Sequence, residues 1–442
     1  MAQCNANSAP RRKALRARYL AAVCVLSLAA GTNRALAQDE PDIAQTVHVY
    51  EMARPAYDSA GIMQGSFLIF ADGSQTAAYD DNIFASNKRI AEDFVSTTNE
   101  ILSAGSQWLK HSLSGRIFAT QQVYANHSTE NAYTYGGEGA GRLDVTNDVY
   151  LQGQVAAAQL AQPRATPEMD ANAIERPVYN TYTGTASAYA KRNKWFDRFG
   201  VSVHKNAYIS SSNASRSGTQ YIVFNRIGRD LSPFLNVYVE GSYAMHEWVH
   251  RPEFRNFDLL TSVIGGRFQI PGVLDLIVSA GALRQDFHYS AFDTLVTPTF
   301  NAQLLWNVMP LTSVILTGDR TVFGTETFCG GTPAACAAGA VRPDQRNTRE
   351  STTAVAGIQH EFRHNLLGEI RFRYEHDRFD FNGLIDNTFT LNLNTRFLIN
   401  RHWEAQLEYA HNVRTANLPE NRTFNTGPYD ENVVSLTLKA GL

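Results

Sequence analysis

The chain has 442 residues, with 39 Lys and Arg against 42 Asp and Glu and a formal charge of −3 at pH 7. That balance excludes a nucleic-acid binder built on a basic face, because phosphate recognition needs clustered positive charge. Beyond the leader no stretch reaches the roughly twenty apolar residues of a membrane helix, which excludes a helical transporter.

In chain order, the first signal is a basic cluster (Arg11, Arg12, Lys13, Arg16, Arg18) ahead of an apolar run, "YLAAVCVLSLAAG". Ala35-Leu36-Ala37 follows, a small-residue cleavage site before Gln38. These parts make a secretory signal peptide over residues 1–37, too short to span a membrane. The paired arginines lack the rest of a twin-arginine pattern and Cys24 has no lipobox, so the general secretory route is expected. The leader holds six basic residues and no acid, so its removal takes the formal charge from −3 to −9. Residues 38–60, "QDEPDIAQTVHVYEMARPAYDSA", are too short for a domain. They read as a periplasmic N-terminal segment, with a plug for a barrel mouth as the alternative.

From about residue 61 the apolar residues keep a period of two. In "TFTLNLNTRFL" Phe389, Leu391, Leu393 and Phe397 share one side, against Thr388, Thr390, Asn392, Asn394 and Arg396. "HWEAQLEYAHN" repeats this, with Trp403, Ala405, Leu407 and Tyr409 against Glu404, Gln406 and Glu408. Such strands have one apolar and one polar face. They are predicted near 65–80, 94–107, 112–124, 132–145, 148–161, 178–191, 196–209, 217–229 and 233–248. They continue near 257–269, 272–287, 296–308, 311–325, 348–362, 365–378, 387–398, 402–413 and 430–442. A soluble sandwich of this size needs a large apolar core, and these polar faces carry Glu, Arg and Asn too often for one. The fold class is therefore all-β: an antiparallel transmembrane β-barrel over 61–442, of about eighteen strands with sixteen as the alternative.

The connections test this independently. Every second one is short, as in "VTNDV", "RNKWFDR", "QIPGVLD" and "FRHNLLG", while the others tend to be longer, up to "GTETFCGGTPAACAAGAVRPDQRN". Short periplasmic turns alternating with longer outer loops belong to an outer-membrane barrel. Trp108, Trp195, Trp306 and Trp403 stand at the short-turn ends, where an interfacial aromatic girdle is expected, and Trp248 stands at the other rim. Cys329 and Cys336, the only cysteines after the leader, are expected to form a local disulfide in the longest loop.

"HEFRH" is a literal H-E-x-x-H: His360, Glu361 and His364. A zinc hydrolase needs both histidines on one helix face. Here the motif falls where one predicted strand turns into the next, and on an extended strand residues four apart lie about 13 Å from each other. The longer zinc-protease pattern also fails, with Leu367 where its glycine belongs. No metal site is expected. No serine, histidine and carboxylate fall into a recognisable nucleophile–base setting, so polar lumen and loop residues are the reading preferred over a lipid-modifying enzyme. Asn126 and Asn213 sit in N-x-S/T matches and are read as ordinary loop polarity. No cofactor is expected.

The lumen follows from parity in the last four strands. Ile370, Phe372, Tyr374, Phe389, Leu391, Leu393, Trp403, Leu407, Leu436 and Leu438 share the side assigned to lipid, since a charge at the bilayer midplane costs about 2–4 kcal/mol. Glu369, Arg371, Arg373, Glu375, Arg396, Glu404, Glu408 and Lys439 take the other side, and Arg116 and Glu240 are assigned with them as pore-lining. The alternatives are a charge-separated wall that biases solute passage and a wall whose charges pair with one another. The closing strand, "ENVVSLTLKAGL", alternates to Leu442 and resembles the C-terminal signal read by the barrel-assembly machinery, although such strands usually end in an aromatic residue.

The start of the barrel carries the most specific pattern: Arg54, Pro55, Tyr57, Asp58, Gly61 and Ile62, then "GSFLIF" at 65–70, then "YDDNIFA" at 79–85. These residues are similar to the "putative outer-membrane beta-barrel porin-2" family, and the alternating strands extend the likeness over the whole chain. The resemblance implies a barrel pore and carries over no catalytic residue. Some relatives are encoded beside extracellular polysaccharide genes, which implies exopolysaccharide export or assembly, with a periplasmic partner, as the alternative function. Gly61 and Gly65 would free the backbone where the chain bends into the wall. Asp80, Asp81 and Asn82 would end the first strand as solvated loop residues rather than a calcium site. The expectation is thus a non-enzymatic pore for small hydrophilic solutes in a Gram-negative-type outer membrane. Its partners are outer-membrane lipid and the assembly machinery, with no nucleic acid.

Overall fold

A strand with one apolar and one polar face needs two different surroundings, and a sheet closed on itself supplies both. The computed structural model describes residues 46–166, 169, 173–249, 255–290, 292–325, 346, 348–380, 383–417 and 427–442. The described strands are β1 (Ile62–Gln64), β2 (Phe67–Asp80), β3 (Asp93–Ser106), β4 (Ser112–Tyr124), β5 (Ala132–Asp144), β6 (Val149–Ala161) and β7 (Val178–Arg192). Then come β8 (Trp195–Tyr208), β9 (Gly218–Ser232), β10 (Leu235–Trp248), β11 (Phe257–Ile270), β12 (Leu274–Phe287) and β13 (Leu295–Met309). The remainder are β14 (Thr312–Gly324), β15 (Thr348–Arg363), β16 (Leu366–Phe379), β17 (Ile385–Leu398), β18 (Trp403–Ala416) and β19 (Tyr429–Gly441).

From β2 onward each strand pairs antiparallel with the next, and β19 pairs with β2 from Val433 opposite Asp80 to Gly441 opposite Asp72. Eighteen strands therefore close a ring, as the alternation predicts. β1 was not anticipated. It folds back on β2 with Gln64 opposite Phe67 and Ile62 opposite Ile69, along the stretch of β2 that β19 no longer covers. Gly65, at φ +58°, opens this two-residue hairpin, the position that a type II′ turn reserves for glycine. Gly61 is doubly constrained: its φ is +68°, and a Cβ would lie 2.9 Å from the Ile69 carbonyl oxygen.

The ring is inside-out relative to a soluble protein. Ile264, Ile370, Phe372, Leu407 and Leu436 are exposed on the outer wall, whereas Gln285, Ser313, Gln359 and Asp377 are buried. The predicted lipid-side residues Phe389, Leu393, Trp403 and Leu438 are exposed likewise. All the short connections gather at one rim and the longer ones at the other, because each strand reverses its neighbour. Cys329 and Cys336, and the leader with residues 38–45, lie outside the described residues.

Candidate functional site

The inward parity is built from ion pairs between and along strands. Arg396 on β17 donates through Nε and a terminal nitrogen to the two oxygens of Glu404 on β18, at 2.7 Å each. Arg371 donates to Glu369 at 2.6 Å and Arg373 to Glu375 at 2.7 Å, each two residues along β16. Arg226 on β9 meets Glu240 on β10 at 2.6 Å, Arg116 on β4 meets Glu138 on β5 at 3.4 Å, and Lys439 lies 3.8 Å from Asp72 across the closing seam. Glu408 accepts from Asn392 at 3.1 Å and Gln406 at 3.4 Å. All the predicted charges but Glu408 thus lie beside a partner of opposite sign. Trp108, Trp195, Trp306 and Trp403 are all exposed near short turns, and Trp248 is buried beneath the Arg255 guanidinium at 3.7 Å.

At the short-turn rim, residues 46–60, expected as a periplasmic segment, fold against the inner side of the wall. The Val49 amide donates to Ser313 Oγ at 2.9 Å and the Tyr50 amide to Gln359 Oε1 at 3.2 Å. The Tyr50 hydroxyl donates to Asn394 Oδ1 at 3.1 Å. Burial, reinforced by the Glu369 carboxylate, raises the Tyr50 pKa above its ordinary value, so the hydroxyl keeps its proton. Val49 packs with Leu367 and Leu398, and Tyr50, Met52 and Tyr57 cover that cluster. The fixed point is Arg54. Its guanidinium donates to Glu361 Oε2 at 2.6 Å and to the carbonyls of Met52 and Val49 at 3.0 and 2.9 Å, while its amide donates to Asp58 at 2.7 Å.

This resolves "HEFRH". Glu361 points inward and holds Arg54, with 6 % of its side chain exposed. His364 Nδ1 lies 2.7 Å from its other oxygen, at the turn. His360 lies across β15, paired through Nδ1 with Thr312 Oγ1 at 2.9 Å and edge-on to Phe362. β15 is extended through all but the last of these residues. Among the described residues no three His, Cys, Asp or Glu side chains converge as metal ligands.

The opposite rim is covered by its own loops. The described part of the β6–β7 loop, including 162–166, reaches across the mouth: Arg414 of β18 donates to the Ala165 carbonyl at 3.0 Å, although β6 and β18 stand six strands apart around the ring. Arg164 in this loop binds both oxygens of Glu130 in the β4–β5 loop at 2.8 and 2.6 Å. Arg176 donates to Gln122 and to the Glu130 carbonyl, both at 3.0 Å. Phe84 of the "YDDNIFA" run packs under Arg89 and against His127. The rest of that run ties the loop to the closing strand. Asp81 accepts from the Asn432 amide and side chain at 2.7 and 2.8 Å, and Asn82 donates to the Asp430 carbonyl at 2.8 Å.

The family described as "Putative beta-barrel porin 2" matches residues 54–441. The chain belongs to that family. The match begins at Arg54, the residue that anchors the N-terminal strap of this beta-barrel porin 2 member. Solved porins are similar in shape. OccAB4 of Acinetobacter baumannii is 11% identical over 85% of this chain and 98% of its own, with a TM-score of 0.42. OpdK of Pseudomonas aeruginosa is 11% identical with the same coverage, at a TM-score of 0.44. A BenF-like porin of Pseudomonas fluorescens Pf-5 is 10% identical over 85% of this chain and 99% of its own, also at 0.44. Such scores carry nothing about cargo. No curated protein matches the chain.

Sequence reasoning missed the Arg54–Glu361 pair and the anchors Glu130, Arg164, Arg176 and Arg414. Arg54 and Glu361 each stood inside a noticed motif, but 307 residues separate them.

Proposed function

We propose that this barrel is a non-enzymatic outer-membrane pore for small hydrophilic solutes. The observation that carries the reading is the inner wall: a closed ring whose inward side is lined by paired arginines and carboxylates, with the strap at one rim and the β6–β7 loop at the other. Such a surface holds water and offers charge-assisted hydrogen bonds to a polar solute. The pore-lining set is Arg116, Glu240, Glu369, Arg371, Arg373, Glu375, Arg396, Glu404, Glu408 and Lys439. The four short-turn tryptophans are its interfacial girdle. Export by a leader cleaved before Gln38, assembly through the strand ending at Leu442 and a Cys329–Cys336 disulfide complete the proposal. In planar bilayers the processed protein should give discrete conductance steps, and in liposomes it should admit small sugars with a size cut-off. A sealed bilayer at high protein loading would refute the pore.

A further inference from the structure

The outer wall is not uniform. Around β10 to β12 the outward parity near mid-bilayer is what hydrocarbon requires, with Val239, Ile264 and Val278 exposed. On β2, β3 and β4 the outward parity instead includes Gln75, Ser96, Thr98, Glu100 and Gln121. Gln75 and Glu100 stand near the middle of their strands, hence near mid-bilayer. Gln75 is satisfied in place, donating to Ser96 Oγ at 2.8 Å and accepting from Thr98 Oγ1 at 2.7 Å. Glu100 has no hydrogen bond or ion pair among the described residues, and the residues directly opposite it are Gly73 and Ala119. An ionisable side chain facing lipid at this depth is costly and calls for a partner.

The relief of this face supplies a second observation. Leu102 and Ile117 face each other across β3 and β4 and stand out from the wall as a ridge, 45% and 57% exposed. On one side lies a hollow of about 700 Å³, floored by Gly73 and Ala119, bounded by Trp403 and Leu442, with Glu100 at its edge. On the other lies a hollow of about 530 Å³ over Gly115, Gly137 and Gly139. Acyl chains could fill either hollow, but they bring no hydrogen-bonding group to Glu100. A second copy of this chain brings amide and hydroxyl donors, a carboxyl acceptor and a matching ridge.

We propose that this face is an isologous interface with a second copy of the chain. A two-fold axis beside Glu100 seats each Leu102–Ile117 ridge in the partner's larger hollow and brings the Glu100 carboxyls and Gln75–Thr98 pairs together, away from lipid.

The test uses the processed protein in native outer membranes, where the parent with its own cysteines sets the baseline. Oxidation of Ile117→Cys should give a band at twice the monomer mass, and Val278→Cys, on the far side of the ring, should not. In mild detergent, native mass spectrometry should find a dimer for the parent and for Glu100→Gln. Glu100→Lys, which replaces the acceptor for the partner's amide and hydroxyl donors with a longer group that can only donate, should lose dimer by about tenfold or more. If Glu100→Lys fails to insert, the cross-linking contrast decides alone. The proposal is overturned if Ile117→Cys cross-links no more than Val278→Cys, if Glu100→Lys stays dimeric, or if the parent is a monomer carrying bound lipid.

Discussion

The two rims of this barrel are occupied in opposite ways. At the short-turn rim a single strap lies against the wall, anchored by the buried ion pair of Arg54 with Glu361, with 5 % and 6 % of the side chains exposed. At the long-loop rim the β6–β7 loop is tied by several arginines, with Arg164 and Arg176 reaching out from it and Arg414 reaching in from β18. That contrast sets where the pore is sensitive. A cover held at one buried charge pair is released by one substitution, whereas a cover held at several loosens by degrees.

The largest effect should therefore come from Arg54→Ala. Removing one partner of a buried pair costs about 3–5 kcal/mol when the other is left unpaired, and here Glu361 keeps only His364, an exposed imidazole at the turn. That cost exceeds what the strap recovers from its few amide hydrogen bonds, each worth about 1 kcal/mol net. The strap should leave the wall, so single-channel conductance should rise and chymotrypsin should cut at Tyr50 or Tyr57 in the assembled protein. An unchanged conductance with a protected strap would show that the Val49, Leu367 and Leu398 cluster holds it instead. Glu361→Gln keeps an acceptor for Arg54 and should act in the same direction, less strongly.

A smaller effect is expected at the other rim from Arg164→Ala. Glu130 would lose both charge-assisted hydrogen bonds, but Arg176 still donates to its carbonyl and Arg414 still holds Ala165. The expected outcome is noisier open-channel current and a modest rise in conductance, with the barrel's heat stability nearly unchanged. The double variant Arg164→Ala, Arg414→Ala should open the rim more than the two single changes combined, since each anchor masks the loss of the other. Strict additivity would argue against shared anchoring.

Much of this architecture was legible because a barrel strand writes its surroundings in alternate residues. "TFTLNLNTRFL" yields both the lipid side and the water side of β17 with no knowledge of its neighbours, and pairing in sequence order then closes the ring. The rims were not legible for the converse reason. Glu361 was read only as part of a metal motif that falls at a strand turn, because its neighbours give no hint of an arginine three hundred residues earlier. Arg164 and Arg414 lie where period-two patterning ends, and the contacts of a loop are set by the shape of the mouth it enters. β1 escaped notice because three residues are too few to show alternation.

The finest discrimination concerns the wall between the rims. Arg371 and Arg373 already have carboxylate partners on their own strand, so their charges are largely offset locally, and their side chains are only half-buried beside the water of the lumen. Reversing Arg371 to Glu leaves three carboxylates, Glu369, Glu375 and the new one, within a short reach of β16, with Arg373 still paired to Glu375. The strand should assemble normally, because the changed side chain stays on the water side. The expected result is a shift of reversal potential toward cation selectivity in a salt gradient, at nearly unchanged conductance and smaller at high ionic strength, where such charges are screened. Phe372→Glu is the control for facing. One position along, on the exposed outer parity, the same charge meets hydrocarbon and should impair assembly. If Phe372→Glu inserts and Arg371→Glu does not, the facing of β16 is reversed. If both insert and neither moves the reversal potential, solutes do not pass along this part of the wall, and the two rims rather than the charges between them set what the pore admits.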